Sequence, residues 1–211
     1  MGRVFCIVGK SSSGKDTIYK KLLENPSLHL KRIVPYTTRP IRAGEQEGVE
    51  YHFTTIEGMA CLQAENRIIE CRSYDTVYGT WYYFMAKDSQ IELEENDYLV
   101  IGTLESYIRI RDYFGKNRVV PVYIDLDDGE RLSRALERER RQSQPGYEEM
   151  CRRYIADAAD FSQDNLERAG ISIRFDNREL EACLYEVSAY IMAFQKQTCF
   201  SGSDGTQGKG D

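Results

Sequence analysis

Apolar and polar positions recur along this chain with two periods. Val4–Val8, Tyr98–Gly102 and Val119–Asp125 are almost continuously apolar and β-branched, which predicts strands buried on both faces. Arg32–Tyr36, Tyr51–Thr54, Arg67–Glu70, Tyr82–Met85 and Ile171–Phe175 are shorter strand-like runs. Between them, Thr17–Glu24, Ser89–Asn96, Glu105–Phe114, Glu130–Arg141, Tyr147–Arg168 and Glu179–Phe194 carry apolar residues at helical spacing. Strands alternating with helices predict an α/β protein with a central, mainly parallel sheet flanked by helices. The short strands between about 33 and 85 interrupt that alternation and predict a small inserted β subdomain. The last stretch, Thr198–Asp211, is rich in Gly, Ser and Asp and nearly free of apolar residues, so it is expected to be disordered and to follow one domain over 1–197.

The sharpest local signal is Gly9-Lys10-Ser11-Ser12-Ser13-Gly14-Lys15-Asp16-Thr17, directly after a strand and at the start of a helix. Backbone N–H groups of such a loop curl around a phosphate, and the helix N-terminus adds a favourable dipole. Lys15 is placed to reach the β- and γ-phosphates of a nucleotide. The position after the lysine normally carries a Ser or Thr that holds magnesium, and here it is Asp16. A carboxylate is a good hard ligand, so Asp16 is a candidate magnesium ligand; an acidic residue in a first helical turn also stabilises the helix itself.

A second constellation fills residues 37–53 with the pattern T-T-R-x-x-R-x-G-E-x-x-G-x-x-Y-x-F. Arg39 and Arg42 are two guanidinium forks suited to phosphate oxygens, and Tyr51 adds a hydroxyl. Taken alone this is also what a solvated surface loop looks like. Beside a phosphate loop it points to a phosphoryl donor site and a phosphorylated acceptor site. Arg131–Arg153 holds seven arginines, four glutamates and no lysine. That composition suits a lid closing over transferring phosphate, or a solvated helix with i,i+4 ion pairs such as Glu130 with Arg134.

With both motifs in view, the chain resembles the guanylate kinase family over roughly residues 3–196. The resemblance implies a P-loop kinase fold with an Arg-rich lid at about 130–153, and transfer of a phosphoryl group from ATP to GMP with Mg2+ as cofactor. It implies that Gly9 to Thr17 bind ATP. It further implies that Arg39, Arg42 and Tyr51 grip the acceptor phosphate. Glu70, at the end of Arg67-Ile-Ile-Glu70, would accept from guanine N1–H and the 2-amino group. Tyr78-Gly79-Thr80 would touch phosphate and base. Lys15, Arg42, Arg134, Arg138 and Arg153 would hold the transferring group, and Asp176-Asn177 resembles the family's adenine-contacting segment.

Three positions depart from the family pattern: Asp16, Pro35 in place of a side-chain donor, and Ile101, Gly102 and Thr103 where the family carries Asp-x-Asp, with Glu105 two residues beyond. These departures leave open a P-loop kinase with another phosphorylated acceptor, or a non-catalytic guanylate kinase-like binding module.

Composition narrows the setting. Of 211 residues, 41% are apolar and 29% charged, as in ordinary soluble domains, and no apolar run reaches the length of a transmembrane helix. A net charge of −6 argues against nucleic acid or an anionic membrane as a partner. Met1–Lys10 lacks the pattern of a signal peptide, and the six cysteines form no CxxC pair, so a reducing cytoplasm is expected.

Overall fold

A computed structural model describes the backbone of residues 1–42, 44–76 and 79–200, with side chains through 197. Five parallel strands form the larger sheet: β1 (Val4–Val8), β2 (Leu30–Arg32), β7 (Asp97–Ile101), β8 (Val119–Asp125) and β9 (Arg174–Asp176), in the order β2-β7-β1-β8-β9. Successive residues of β1 point to opposite faces, and both faces are buried. Val4, Cys6 and Val8 pack with Tyr107 and Ile110 of α3 (Leu104–Phe114). Phe5 and Ile7 pack with Ile18 and Leu22 of α1 (Lys15–Glu24) and Cys183, Val187 and Ile191 of α7 (Leu180–Phe200). The i, i+3 and i, i+4 spacing of those helical residues makes one apolar stripe per helix.

The inserted segment builds a second, four-stranded sheet ordered β4-β3-β6-β5, from β3 (Tyr36–Thr37), β4 (His52–Phe53), β5 (Ile68–Thr76) and β6 (Gly79–Ala86). The expected strand Arg32–Tyr36 is split between the two sheets. Val34 is held instead by the side chain of Gln90, and Pro35 has no N–H to donate. The hairpin β5–β6 is longer than its apolar content predicts, because Glu70, Arg72 and Tyr74 give one face a polar character.

Two expected helices differ, and one forms that was not expected. Ser89–Asn96 is a series of turns, since Gln90 bonds Val34 and Asp88 rather than the preceding turn. Tyr147–Arg168 breaks into α5 (Tyr147–Asp160) and α6 (Gln163–Arg168). Phe161 turns into the core to stack on Tyr123 at 5.6 Å, and Asn165 Nδ2 donates to the carbonyls of Ala159 and Asp160 at the end of α5. Ile56–Ala64 forms a helix, α2, that has no buried stripe to betray it; its one signal is the Thr55 cap, whose hydroxyl accepts from Gly58 N–H at 3.1 Å. Finally, α7 continues three residues past Gln197, into the stretch expected to be disordered. Residues 201–211 lie outside the described residues. No helix among the described residues is long and apolar enough to cross a membrane.

Candidate active site

The C-terminal ends of β1 and β7 open onto a cleft of about 890 Å³ that runs from Gly9, Lys15 and Asp16 to Glu70, Arg72 and Tyr83. This is where open α/β sheets place ligands.

At one end stands the loop between β1 and α1. Gly14 caps α1 in the left-handed region at φ 85°, and a Cβ there would sit 2.2 Å from Asn177 Nδ2. Ser12 also adopts positive φ, 63°, a costly conformation for a residue with a side chain. The hydroxyls of Ser12 and Ser13 are buried without hydrogen-bond partners among the described residues. Orphaned donors at the mouth of a helix are what a phosphate would satisfy. Lys15 is largely buried, and its Nζ lies 3.6 Å from the exposed Asp16 carboxylate.

Distant residues brace this loop. Asp157 Oδ2 accepts from Ser11 N–H at 2.7 Å, while Arg131 Nη1 donates to Ser11 carbonyl at 2.9 Å. Arg131 lies in α4 (Asp128–Arg140), is 1% exposed, stacks over the Tyr154 ring and pairs with Asp128, which also meets Lys10 at 3.1 Å. Arg131 and Asp157 were not singled out by the sequence; of the two, only Arg131 had a signal there, as one arginine among seven.

The expected lid arginines separate. Arg134 reaches the loop: its Nη2 donates to Asn177 carbonyl at 3.2 Å, and its Nη1 is 3.7 Å from where a Gly14 Cβ would stand. Arg138 and Arg153 are exposed. Arg153 Nε donates to Glu149 at 2.6 Å, and Arg138 lies 3.7 Å from Glu139. The structure does not bring either to the phosphate loop.

At the other end, Glu70 is 4% exposed. Burial raises its carboxyl above the usual glutamate range, and Arg72 pulls it back. Ser106 Oγ donates to Glu70 Oε2 at 3.3 Å, and Thr103 caps α3 by accepting from Ser106 N–H. Arg72, two positions along β5, lines the same cleft wall as Glu70 and Tyr74. Thr80 does not. It pairs with Asp75, one step out of phase with Glu70, Arg72 and Tyr74, and its hydroxyl donates to Asp75 Oδ1 at 2.7 Å on the other face of the hairpin. Gly79 begins β6 at the hairpin tip, and Tyr78 lies outside the described residues.

The T-T-R segment is built as a unit. Thr37 Oγ1 donates to Tyr82 carbonyl, and Thr38 Oγ1 accepts from Tyr82 N–H, tying the segment to β6. Arg39 is 4% exposed, held by both carboxylate oxygens of Glu45, with its guanidinium 5.0 Å from the Tyr51 ring centre and 5.4 Å from Phe53. Hydrogen bonds from Arg39 hold the Glu45 carboxyl down to about 2. Arg39 is thereby committed to Glu45. Arg42 is exposed, its backbone N–H donating to Glu45 Oε2, and among the described residues its guanidinium is not committed to a carboxylate as that of Arg39 is. Tyr51 lines the cleft beside Tyr83.

A family model described as guanylate kinase matches residues 1–192. The chain belongs to the guanylate kinase family. Guanylate kinase of Zymomonas mobilis is 41% identical over 81 residues, which is 37% of this chain and 37% of that protein. Guanylate kinase of Schizosaccharomyces pombe is 40% identical over 75 residues, 35% of this chain and 37% of that protein. The similarity therefore spans little more than a third of these relatives' length. The crystal structure of guanylate kinase from Anaplasma phagocytophilum shares the fold, with a TM-score of 0.61 over 94% of this chain and 88% of that one at 23% identity.

The departures from the guanylate kinase pattern now have places. Pro35, Ile101, Gly102 and Thr103 all line the cleft, so the lost side chains are lost from the site itself. Glu105 is no substitute, because it turns to solvent and pairs with Arg109 at 2.7 Å. Among the described residues no three His, Cys, Asp or Glu side chains gather as a metal cluster. The residues still fit magnesium, which commonly takes one or two carboxylates and completes its shell with water and substrate phosphates. Asp16 offers one such carboxylate on the cleft wall.

Proposed function

We propose that this chain is a nucleoside monophosphate kinase that converts ATP and GMP to ADP and GDP. An oxygen of the acceptor phosphate attacks the γ-phosphorus in line, the bond to the β–γ bridging oxygen breaks, and ADP leaves with that oxygen. The loop whose Gly9, Ser11 and Lys15 end the cleft and whose Ser12 and Ser13 hydroxyls are orphaned, with the buried Glu70 at the other end, carries this reading.

Gly9 to Thr17 cradle the donor phosphates, and Lys15 neutralises the β- and γ-oxygens. Arg134, beside Gly14, adds positive charge as negative charge spreads in the transition state. Arg42 and the Tyr51 hydroxyl hold the acceptor phosphate, with Arg39 and Glu45 shaping that loop. Glu70 accepts from guanine N1–H and the 2-amino group. Magnesium, when bound, screens the phosphate charge, with Asp16 as its protein ligand. Arg138 and Arg153 contribute once residues 130–153 move over the bound nucleotides, in the manner of a lid.

The test is ADP release from ATP and magnesium with GMP, dGMP, AMP, UMP or ribose bisphosphate as acceptor. Turnover with GMP and dGMP above the rest supports the reading. Turnover with ribose bisphosphate alone overturns it in favour of another acceptor, a possibility raised by the averted Thr80 and the absent carboxylate at Thr103. ATP binding without any turnover overturns it in favour of a binding module.

A further inference from the structure

Guanine presents two donors, N1–H and the 2-amino group, and one acceptor, O6, along its Watson–Crick edge. Glu70 answers only the donors. Thr80, expected to touch the base, faces away toward Asp75, and Pro35, which also lines the cleft, has no side-chain N–H or O–H. Ser106 Oγ is already engaged by Glu70 and Thr103.

Among the described residues, Arg72 is a charged donor on the cleft wall at that end. Arg72 stands two residues from Glu70 on the same cleft-facing side of β5, opposite Tyr83, with its side chain 21% exposed. Its Nη2 is 3.5 Å from Glu70 Oε1. Its Nε is 3.2 Å from Glu70 Oε2 but makes no hydrogen bond, and it is a buried N–H without a partner among the described residues. A guanidinium has five N–H donors, more than this one carboxylate takes up. The N–H groups that Glu70 does not take up belong to a side chain that is partly exposed on the cleft wall, where a ligand can bring an acceptor to them.

We propose that Arg72 determines acceptor specificity by donating to the 6-oxo oxygen of a purine base beside Glu70, which takes N1–H and the 2-amino group. The pair then reads both signs of the guanine edge from one strand. Adenine, with a 6-amino donor in place of O6, sets donor against donor at Arg72. This inference rests on the proposed GMP reading and refines it.

The experiment compares GMP, IMP and 2-aminopurine riboside monophosphate as acceptors for the wild type and for Arg72→Met, Arg72→Gln and Arg72→Lys. IMP keeps O6 and N1–H without the 2-amino group; the 2-aminopurine nucleotide keeps the 2-amino group but lacks both O6, the acceptor for Arg72, and N1–H, a donor to Glu70. Isothermal titration of each acceptor without ATP gives binding apart from turnover, and thermal unfolding checks each fold. In Arg72→Met, GMP binding should weaken about tenfold to a hundredfold, the loss typical of one charged hydrogen bond. The preference for GMP over the 2-aminopurine nucleotide should shrink by the same factor, leaving what N1–H contributes through Glu70, and ATP affinity should be unchanged. Arg72→Gln, which keeps a donor without charge, and Arg72→Lys should recover part of that preference. If Arg72→Met is unstable, the Gln and Lys variants decide the question. A wild-type preference retained in all three variants overturns the role of Arg72 and leaves the GMP reading intact. Failure of the wild type to bind GMP overturns both.

Discussion

Asn177, just past the end of β9, donates its side-chain amide to the backbone carbonyl of Ser13 at 2.7 Å, across 164 residues of sequence. Its own backbone N–H is given to Asp125 carbonyl at 2.9 Å, and its carbonyl receives Arg134. The phosphate loop is thus fastened to the far edge of the sheet and to α4 through one residue that is 2% exposed.

Asn177→Ala leaves the Ser13 carbonyl buried and unpaired, which costs about 1–3 kcal/mol. Thermal unfolding should show that loss. ATP should recover less of the stability in the variant than in the wild type, because a loosened loop binds phosphate less well.

Gly14→Ala should be more severe. The new Cβ would collide with Asn177 Nδ2 in a backbone conformation that L side chains rarely adopt. Equilibrium binding of ATP is expected to fall at least tenfold in a variant that remains folded; unchanged affinity would show that the loop can relax around a methyl group.

The acceptor end should be sensitive to acid through Glu70. Burial raises its carboxyl above 4.5, so it takes up a proton at a higher pH than an ordinary glutamate. A protonated Glu70 loses acceptor capacity, so KM for GMP should rise as pH falls through that raised pKa. The effect on folding has the opposite sign: the folded state binds this proton more tightly, so Glu70's contribution to stability declines as pH rises from 4.5 through the raised value. In Glu70→Gln the acid limb of the GMP profile should vanish, at a cost of roughly tenfold to a hundredfold in kcat/KM.

Arg39 and Glu45 should act in a different window. Glu45 is depressed to about 2 by hydrogen bonds from Arg39, so the stability it contributes is complete above 4.5 and is lost as pH falls toward 2. Acid unfolding of the wild type and of Glu45→Gln should differ at neutral pH and converge below about 2. Parallel curves at all pH values would mean the pair forms equally in the unfolded chain.

Asp16→Asn tests the metal assignment. Removing the charge should raise the magnesium concentration needed for half-maximal ADP release about tenfold or more, with metal-free ATP binding by titration unchanged or improved. Equal magnesium dependence would place the protein's metal ligand elsewhere.

Much of the site was readable in the chain because its signals are local. A strand, a Gly-bounded loop and a helix start occur in direct succession at 4–24, and their spacing alone fixes that the loop curls at a helix N-terminus. Arg39, Glu45 and Tyr51 fall within one short segment, so their meeting needs only a turn. Ser89–Asn96 has a helical period yet forms turns, because Gln90 finds its partner at Val34, which no helical period can reveal.

The sequence by itself determined the α/β class, the buried strands and the phosphate loop, since each follows from the periodicity or spacing of neighbouring residues. The tertiary structure alone decided which side chains share the cleft. Hairpin register sends Thr80 to the face opposite Glu70, and a shift of one residue would reverse that. Only folding brings Ser106 to Glu70, Asp157 and Arg131 to Ser11, and Asn177 to Ser13, pairs separated by 36 to 164 residues. Such contacts are set by the packing of whole elements, so they leave no pattern in the stretch of chain around either partner.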